Sequence, residues 1–577
     1  MTGYSPMREN NRFITHSIHY FLFYFVLLGL NQKSWANTPS LSGVVTGSAA
    51  ILQDNEQLLS QETTRVQQKP VIDQREKSNS KSDTGQMLRV ATLGVKSLPE
   101  RYREQVNTLL AARQNQNMSL SQLQAIPLEI ERIMRKSGDL LSFAYLPEQD
   151  ITEGHVYIQV VQGQLEKIHL HNNQSNVRDS LINKFLQAGN KQPEDISQME
   201  SALLRLGDQP GIGPLTSILS PGEQVGSSQL SVSVASEPVI SGRLMMDNHG
   251  GRYSGRIRTF ARMTINNPTG SADRLQGMVL YVPQFLQNKD SNDAKTILGN
   301  IAYDLPLGYQ GARGGISYSR VESQPGGRFT GFIDSNADVL SIYSSWPVIR
   351  TAGNNLSLGV QGDYKWMRDK ILTFISHREQ DSISLSLNGD FRHRWFGQPN
   401  IFNYRAGLTR GKLRDAQQDN PNRGEFWKWE AQGMGLQRLN DYFGASLRAS
   451  GQFSHQNMDG VEKMALGGPS IVRAYDVNTI SVDRGFSLSP ALRLDLTTLY
   501  PGISTHAFYD YAQGSLLANK GIGQSNHVLL QGYGAGLTYQ HDRGNIDITY
   551  ARRAGAVDNL LGATDRGRWW LTGSINF

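Results

Sequence analysis

Few residues in this chain have the types and spacing that chemistry requires. There are 12 histidines and no cysteine, and the histidines show no metal-ligand spacing, so no metal or cofactor is expected. "GYGAGL" superficially resembles a nucleotide loop, but Gly532, Gly534 and Gly536 alternate along a strand with no helix behind them. They read instead as lumen-facing or bend positions. No serine sits in a nucleophile elbow, and no enzyme is expected. What stands out is a cation. "GGPSIVRAYDVNTISVDRGFSLSPALRLDL", residues 467–496, sets Arg473 between Val472 and Ala474-Tyr475 behind a glycine pair. A guanidinium suits a planar two-point contact with a carboxylate; on an extracellular loop it would simply be solvated. The segment by itself is compatible with either.

The elements around this loop narrow the choice. After Val239 helical periodicity disappears and alternation takes over. In "LSLGVQGDYK" Leu356, Leu358, Val360 and Tyr364 share one face, and Ser357, Gly359, Gln361, Asp363 and Lys365 the other. "ISLSLNGDFRHRW" and "FGASLRASGQF" alternate in the same way. Such strands continue over residues 239–577, far beyond one soluble sandwich. Aromatics gather at strand ends, as Trp366, Trp395, Trp427, Trp429, Tyr500, Trp569 and Trp570, which suits interfacial girdles. A spanning strand needs about 9–11 residues, so sixteen antiparallel strands would leave roughly ten residues per connection. The expectation is an all-β transmembrane barrel over 239–577. Mean hydropathy is only -0.42, as a barrel with a wet lumen requires.

The N-terminal part differs. Arg8 and Arg12 precede the apolar run Ile18 to Leu30, and Ser34-Trp35-Ala36 follows. This predicts a signal peptide over 1–36, cut near Ala36. Residues 37–86 are polar, with one candidate helix from Ala49 to Gln68 and a linker behind it. From Met87 to Pro238 two β-α-α-β-β units follow in tandem, 87–165 and 166–238. In the first, Leu88 to Val95 reads as one strand, and Ser119 with Gln122 as a capping box for a helix that Pro127 should kink. A net charge of +6 without an aromatic-interleaved basic run excludes nucleic acid as an expected partner.

"VRAY" followed by "DRGFSLSPALRLDL" resembles the loop motif of the two-partner secretion transporters of the haemolysin secretion/activation type. The family pattern is Val/Ile-Arg-Gly-Tyr/Phe, and Ala474 departs from it at the third position, a departure also associated with this branch. "LLSFAYLPEQDITEGHVYIQVVQGQLEKI" looks like the end of that family's first POTRA domain. Lys167 to Pro238 looks like its second, while "FYDYAQG" and "DRGRWWLTGSINF" are similar to its last strands. The resemblance implies an α+β pair of periplasmic POTRA repeats before a 16-stranded outer-membrane barrel, with the loop around 467–485 folded into the lumen. It implies that Arg473, within Val472-Arg473-Ala474-Tyr475, meets an acidic residue on the barrel wall: Asp510, or as second choice Asp495. It further implies that the Ala49–Gln68 helix plugs the pore. Trp569, Leu571, Ile575 and Phe577 would form a C-terminal signal for the barrel-assembly machinery, and outer-membrane lipids would surround the wall. The implied function is export, and in some members activation, of a secreted exoprotein such as a haemolysin, adhesin or toxin. A barrel-assembly insertase of the same superfamily is the alternative, and a porin or nutrient receptor a more distant one.

Overall fold

The computed structural model describes residues 71–73 and 87–577, apart from positions 138, 140, 152, 189–195, 225, 290, 418–419, 478, 522–524 and 556–565. The expected signal peptide and the Ala49–Gln68 helix lie outside the described residues.

The short strand β1 (Val71–Asp73) comes first. The unit after it contains β2 (Met87–Val90), β3 (Thr92–Lys96), α1 (Arg103–Ala111), β4 (Gln116–Ser119), α2 (Leu120–Lys136), β5 (Phe143–Tyr145) and β6 (His155–Val161). Leu88 to Val95 is therefore two strands, not one. β2 pairs with β4, whereas β3 joins β6 in a second small sheet. The apolar alternation marks the change: it runs through Leu88 and Val90, then shifts phase at Ala91 to Leu93 and Val95. The capping box at Ser119 forms as its spacing predicts: Gln122 N donates to Ser119 Oγ, and Ser119 N donates to Gln122 Oε1. Helix α2 runs on through the buried Pro127. Its apolar stripe of Leu123, Ile126, Ile130 and Met134 closes the core over Val156, Ile158 and Val160, a spacing that puts one helix face on one sheet face.

The second unit has β7 (Gln164–Asn173), α3 (Asp179–Ala188), α4 (Ile196–Gly207), β8 (Ile212–Pro221) and β9 (Ser227–Ser236). Its sheet order is β1-β8-β9-β7. Ile182, Phe185 and Leu203 from the helices pack on Leu219, Leu230 and Val232 from the strands. β1, from the segment before the first unit, lies parallel along the outer edge of β8.

The rest is a closed barrel of sixteen antiparallel strands, β10–β20 and β23–β27. Its first half is β10 (Ile240–Asp247), β11 (Arg258–Asn266), β12 (Arg274–Tyr281), β13 (Lys295–Pro306), β14 (Arg313–Gln324), β15 (Ile333–Arg350), β16 (Asn354–Ile371) and β17 (Phe374–Trp395). The second half is β18 (Gln398–Asp415), β19 (Gly424–Arg438), β20 (Phe443–Ser454), β23 (Arg484–Asp495), β24 (Ile503–Ser515), β25 (His527–His541), β26 (Gly544–Arg553) and β27 (Gly567–Asn576). β10 closes on β27, from Arg243 opposite Asn576 to Asp247 opposite Thr572. Closure leaves no unpaired edge, the condition for strands in lipid. The exposed apolar set, including Leu358, Val360, Ile383, Leu385 and Leu447, lies on one face of these strands, so the alternate, polar face lines the lumen.

The second unit docks against one end of this barrel. Arg350 at the end of β15 donates from Nε and Nη2 to the Asp208 carboxylate at 2.6 and 2.7 Å. Arg313 Nη1 donates to Gln209 Oε1 at 2.8 Å, and Phe185 meets Tyr309 edge-on. The long β20–β23 connection leaves from the opposite end and turns inward.

Candidate functional site: a loop tip anchored in the lumen

The β20–β23 loop, residues 455–483, carries the Val472-Arg473-Ala474-Tyr475 segment. It stiffens itself with a small hairpin, β21 (Met464–Ala465) against β22 (Ser481–Val482), and a bridge from Gly467 to Val472. Leu466, Val472, Tyr475 and Ile480 then bury against wall residues Phe508, Ala512, Val528, Leu530 and Ala551. Packing of this kind orders the backbone, so the polar contacts at the tip need not order it themselves.

Arg473 and Asp510 come together. Nε and Nη2 of Arg473 reach the two carboxylate oxygens at 2.9 and 2.6 Å, and the Arg473 backbone N donates to Oδ2 at 2.9 Å. Ser489 Oγ accepts from Nη2 at 2.7 Å and donates to Oδ1 at 2.6 Å. The guanidinium also lies over the Phe508 ring. Asp510 is fully buried, so its charge depends on these donors. Removing one partner from such a pair costs about 3–5 kcal/mol, because the other charge is left buried. Asp495, the second choice, makes no such contact: it accepts from the backbone N of Thr497 at 2.9 Å.

Several residues of the site carried no recognised signal. Trp570 Nε1 donates to the Arg473 carbonyl at 2.7 Å, and Trp570 is buried, not part of an aromatic girdle. The clue was available: adjacent strand residues face opposite ways, so only one of Trp569 and Trp570 can face lipid. Arg568 Nη1 meets Asp476 Oδ1 at 2.8 Å, just past the motif. Gly532 supplies space, since a Cβ there would stand 2.6 Å from that of Ala474. Gly532, Gly534 and Gly536 are on the lumen face of β25, with Gly532 opposite Asp510 and Gly536 opposite His506.

The C-terminal set lies elsewhere. Trp569, Leu571, Ile575 and Phe577 are all exposed on the outer face, and Phe577 exchanges backbone hydrogen bonds with Gly242 across the closing seam. Among the described residues no cluster of His, Asp and Glu could hold a metal.

The loop stem, missed entirely from sequence, is tied to the far wall. Glu462 accepts from Lys365 Nζ and Gln380 Nε2 through Oε1, at 2.7 and 2.6 Å, and from Lys428 Nζ through Oε2 at 2.9 Å. Burial alone would push the Glu462 carboxyl up, but the two ammonium groups prevail and hold it below the usual range. Asp459 pairs with Arg378, which also holds Asp369.

Comparison with known proteins places this arrangement. Residues 226–539 match the family model described as haemolysin secretion/activation protein ShlB/FhaC/HecB, and residues 89–163 match the ShlB-type POTRA domain. The chain is 27% identical over 475 residues to the heme/hemopexin transporter protein HuxB of Haemophilus influenzae, covering 79% of this chain and 81% of that one. It is 24% identical over 511 residues to the outer membrane transporter CdiB of Escherichia coli, covering 85% and 84%. The solved CdiB from Escherichia coli shares the fold, with a TM-score of 0.66 at 21% identity over 92% of this chain and 99% of that one. A pair of α+β units, a closed barrel and a loop tip held inside it thus accompany a family match over more than half the chain: it belongs to the haemolysin secretion/activation family of two-partner secretion transporters, outer-membrane barrels with their POTRA domains in the periplasm.

Proposed function

We propose that this transporter captures one unfolded exoprotein at its POTRA units, 87–165 and 166–238, and passes it through the barrel of 239–577 while the β20–β23 loop releases Arg473 from Asp510. The observation that carries the reading is the loop tip itself. A buried two-point ion pair is stable enough to hold a resting state, and its loss has a defined cost. Capture proceeds by strand addition, in which backbone hydrogen bonds give affinity and side-chain pockets selectivity. The β8 edge supports this, because it already accepts an extended segment, Val71–Asp73. No nucleotide is available outside the inner membrane, so folding of the exported chain at the surface supplies direction. Residues 37–86 act as the resting plug and its tether. A relative named for heme and hemopexin makes a haem-scavenging exoprotein the first cargo to test, ahead of a haemolysin, adhesin or toxin. Trp569, Leu571, Ile575 and Phe577 present the strand that the barrel-assembly machinery reads. The chain does no covalent chemistry.

The test is translocation into proteoliposomes containing the purified chain and a denatured N-terminal fragment of a candidate exoprotein. Fragment protected from external protease inside the vesicles is expected. Empty vesicles, together with poor assembly of other barrels in cells lacking the protein, would favour the insertase alternative.

A further inference from the structure

The loop stem meets a part of the lumen wall that a plain water-filled pore does not need. Inward-facing residues of β11–β16 and β18 are apolar towards the extracellular end, among them Leu280, Leu298, Val321, Val339, Met367 and Leu413, and they form one buried cluster. Barrel interiors are ordinarily polar, so an apolar patch in a lumen has to be covered. Val461, from the turn Gly460–Glu462 of the loop stem, covers it and belongs to the same cluster. On either side of Val461 the stem presents a carboxylate to a waiting cation: Asp459 to Arg378, and Glu462 to Lys365 and Lys428. Both acids are almost fully buried. The partners stand on β16, β17 and β19, whereas Arg473 is held on β23 and β24, with Trp570 on β27. One loop is therefore fastened to two walls by two separate sets of contacts.

We propose that Asp459, Val461 and Glu462 are a second set of positioning residues, which fasten the loop stem across the extracellular exit and must release the β16–β19 wall for the exported chain to leave. This rests on the transport reading above. Release takes two carboxylates away from Lys365, Arg378 and Lys428, leaving Asp369 beside Arg378 and Glu430 beside Lys428. The resting clasp is correspondingly tight, since unpaired charges in a confined site are costly.

Two measurements on the full-length protein test this. In planar bilayers, D459N/E462Q removes both charges while keeping side-chain volume. Its open-channel time is expected to rise about tenfold or more over wild type, as a loss of over ~1.4 kcal/mol requires, with the heat-modifiable barrel band unchanged. An unaltered open time in a folded barrel would overturn the proposal. Because the chain contains no cysteine, K365C/E462C can be joined by a short reducible bis-thiosulfonate without competing thiols. Secretion of the exoprotein should stop on cross-linking and resume on reduction. Secretion that continues with the cross-link in place would show the stem to be static wall and reject its release. If D459N/E462Q opens the pore but the wild-type chain moves no exoprotein, the clasp stands and the transport reading falls.

Discussion

Arg473 is the one functional side chain that its surroundings in sequence made conspicuous, and its geometry explains why lysine would not replace it. Two nitrogens of one plane reach both oxygens of Asp510 while Nη2 also meets Ser489. Lysine would keep the charge and lose the fork. R473K should therefore weaken the tip by about 1–3 kcal/mol, and a double-mutant cycle with D510N, read by denaturant-induced release of the loop, should show coupling of that order. Gly532 matters for a different reason. G532V puts branched carbon where Ala474 already sits, so the tip should unseat and become protease-sensitive with Arg473 intact. The stem has a pH signature. The Glu462 carboxyl lies below its unfolded value, so its contribution is full above that unfolded value and fades only as pH falls through the lowered one. Lowering the buffer from neutrality to about pH 5 should leave this contact closed in conductance recordings; opening there would contradict it. Gly532 was legible as a lumen-facing or bend position but not as space for the loop tip, and Glu462 was not legible at all. Glu462 acquires its meaning from Lys365, 97 residues away, and a glycine that makes room for a loop looks like any strand glycine.

At the scale of elements, what local rules govern was readable and what partners decide was not. Ser119 and Gln122 announce the start of α2 three residues apart, and alternation places Leu358 and Leu385 outside the barrel. The division of Leu88–Val95 into β2 and β3 depends on two different pairing strands, and its one trace in the sequence is the phase shift of the apolar alternation at Ala91. β1 is the element with the most to say about function. It occupies the edge of β8 that strand addition by an exoprotein would use, so the two must compete. Deleting Val71–Asp73 should tighten binding of an exoprotein segment to the periplasmic part several-fold, consistent with the modest net value of a few backbone hydrogen bonds, as titration calorimetry would read. Unchanged affinity would move capture to another edge.

The whole molecule is a barrel closed on itself, with two small units at one end and a loop folded in from the other. Length and alternation sufficed to expect a closed barrel, because a membrane fixes strand length and demands closure, while the number sixteen came with the family resemblance. The docking of the second unit through Arg350 and Asp208 could not be foreseen, since both look like ordinary surface charges until the chain folds. On the transport reading, this closed molecule exports a partner and the Arg473–Asp510 contact governs that export. The direct measurement is to express the chain with its candidate exoprotein and assay the medium, comparing wild type with Arg473→Ala. The exoprotein should appear outside with wild type and be lost with Arg473→Ala while the variant barrel still reaches the outer membrane folded. Export by Arg473→Ala at the wild-type level would show that the contact does not govern transport, and no export by either would show that the chain does not carry this partner.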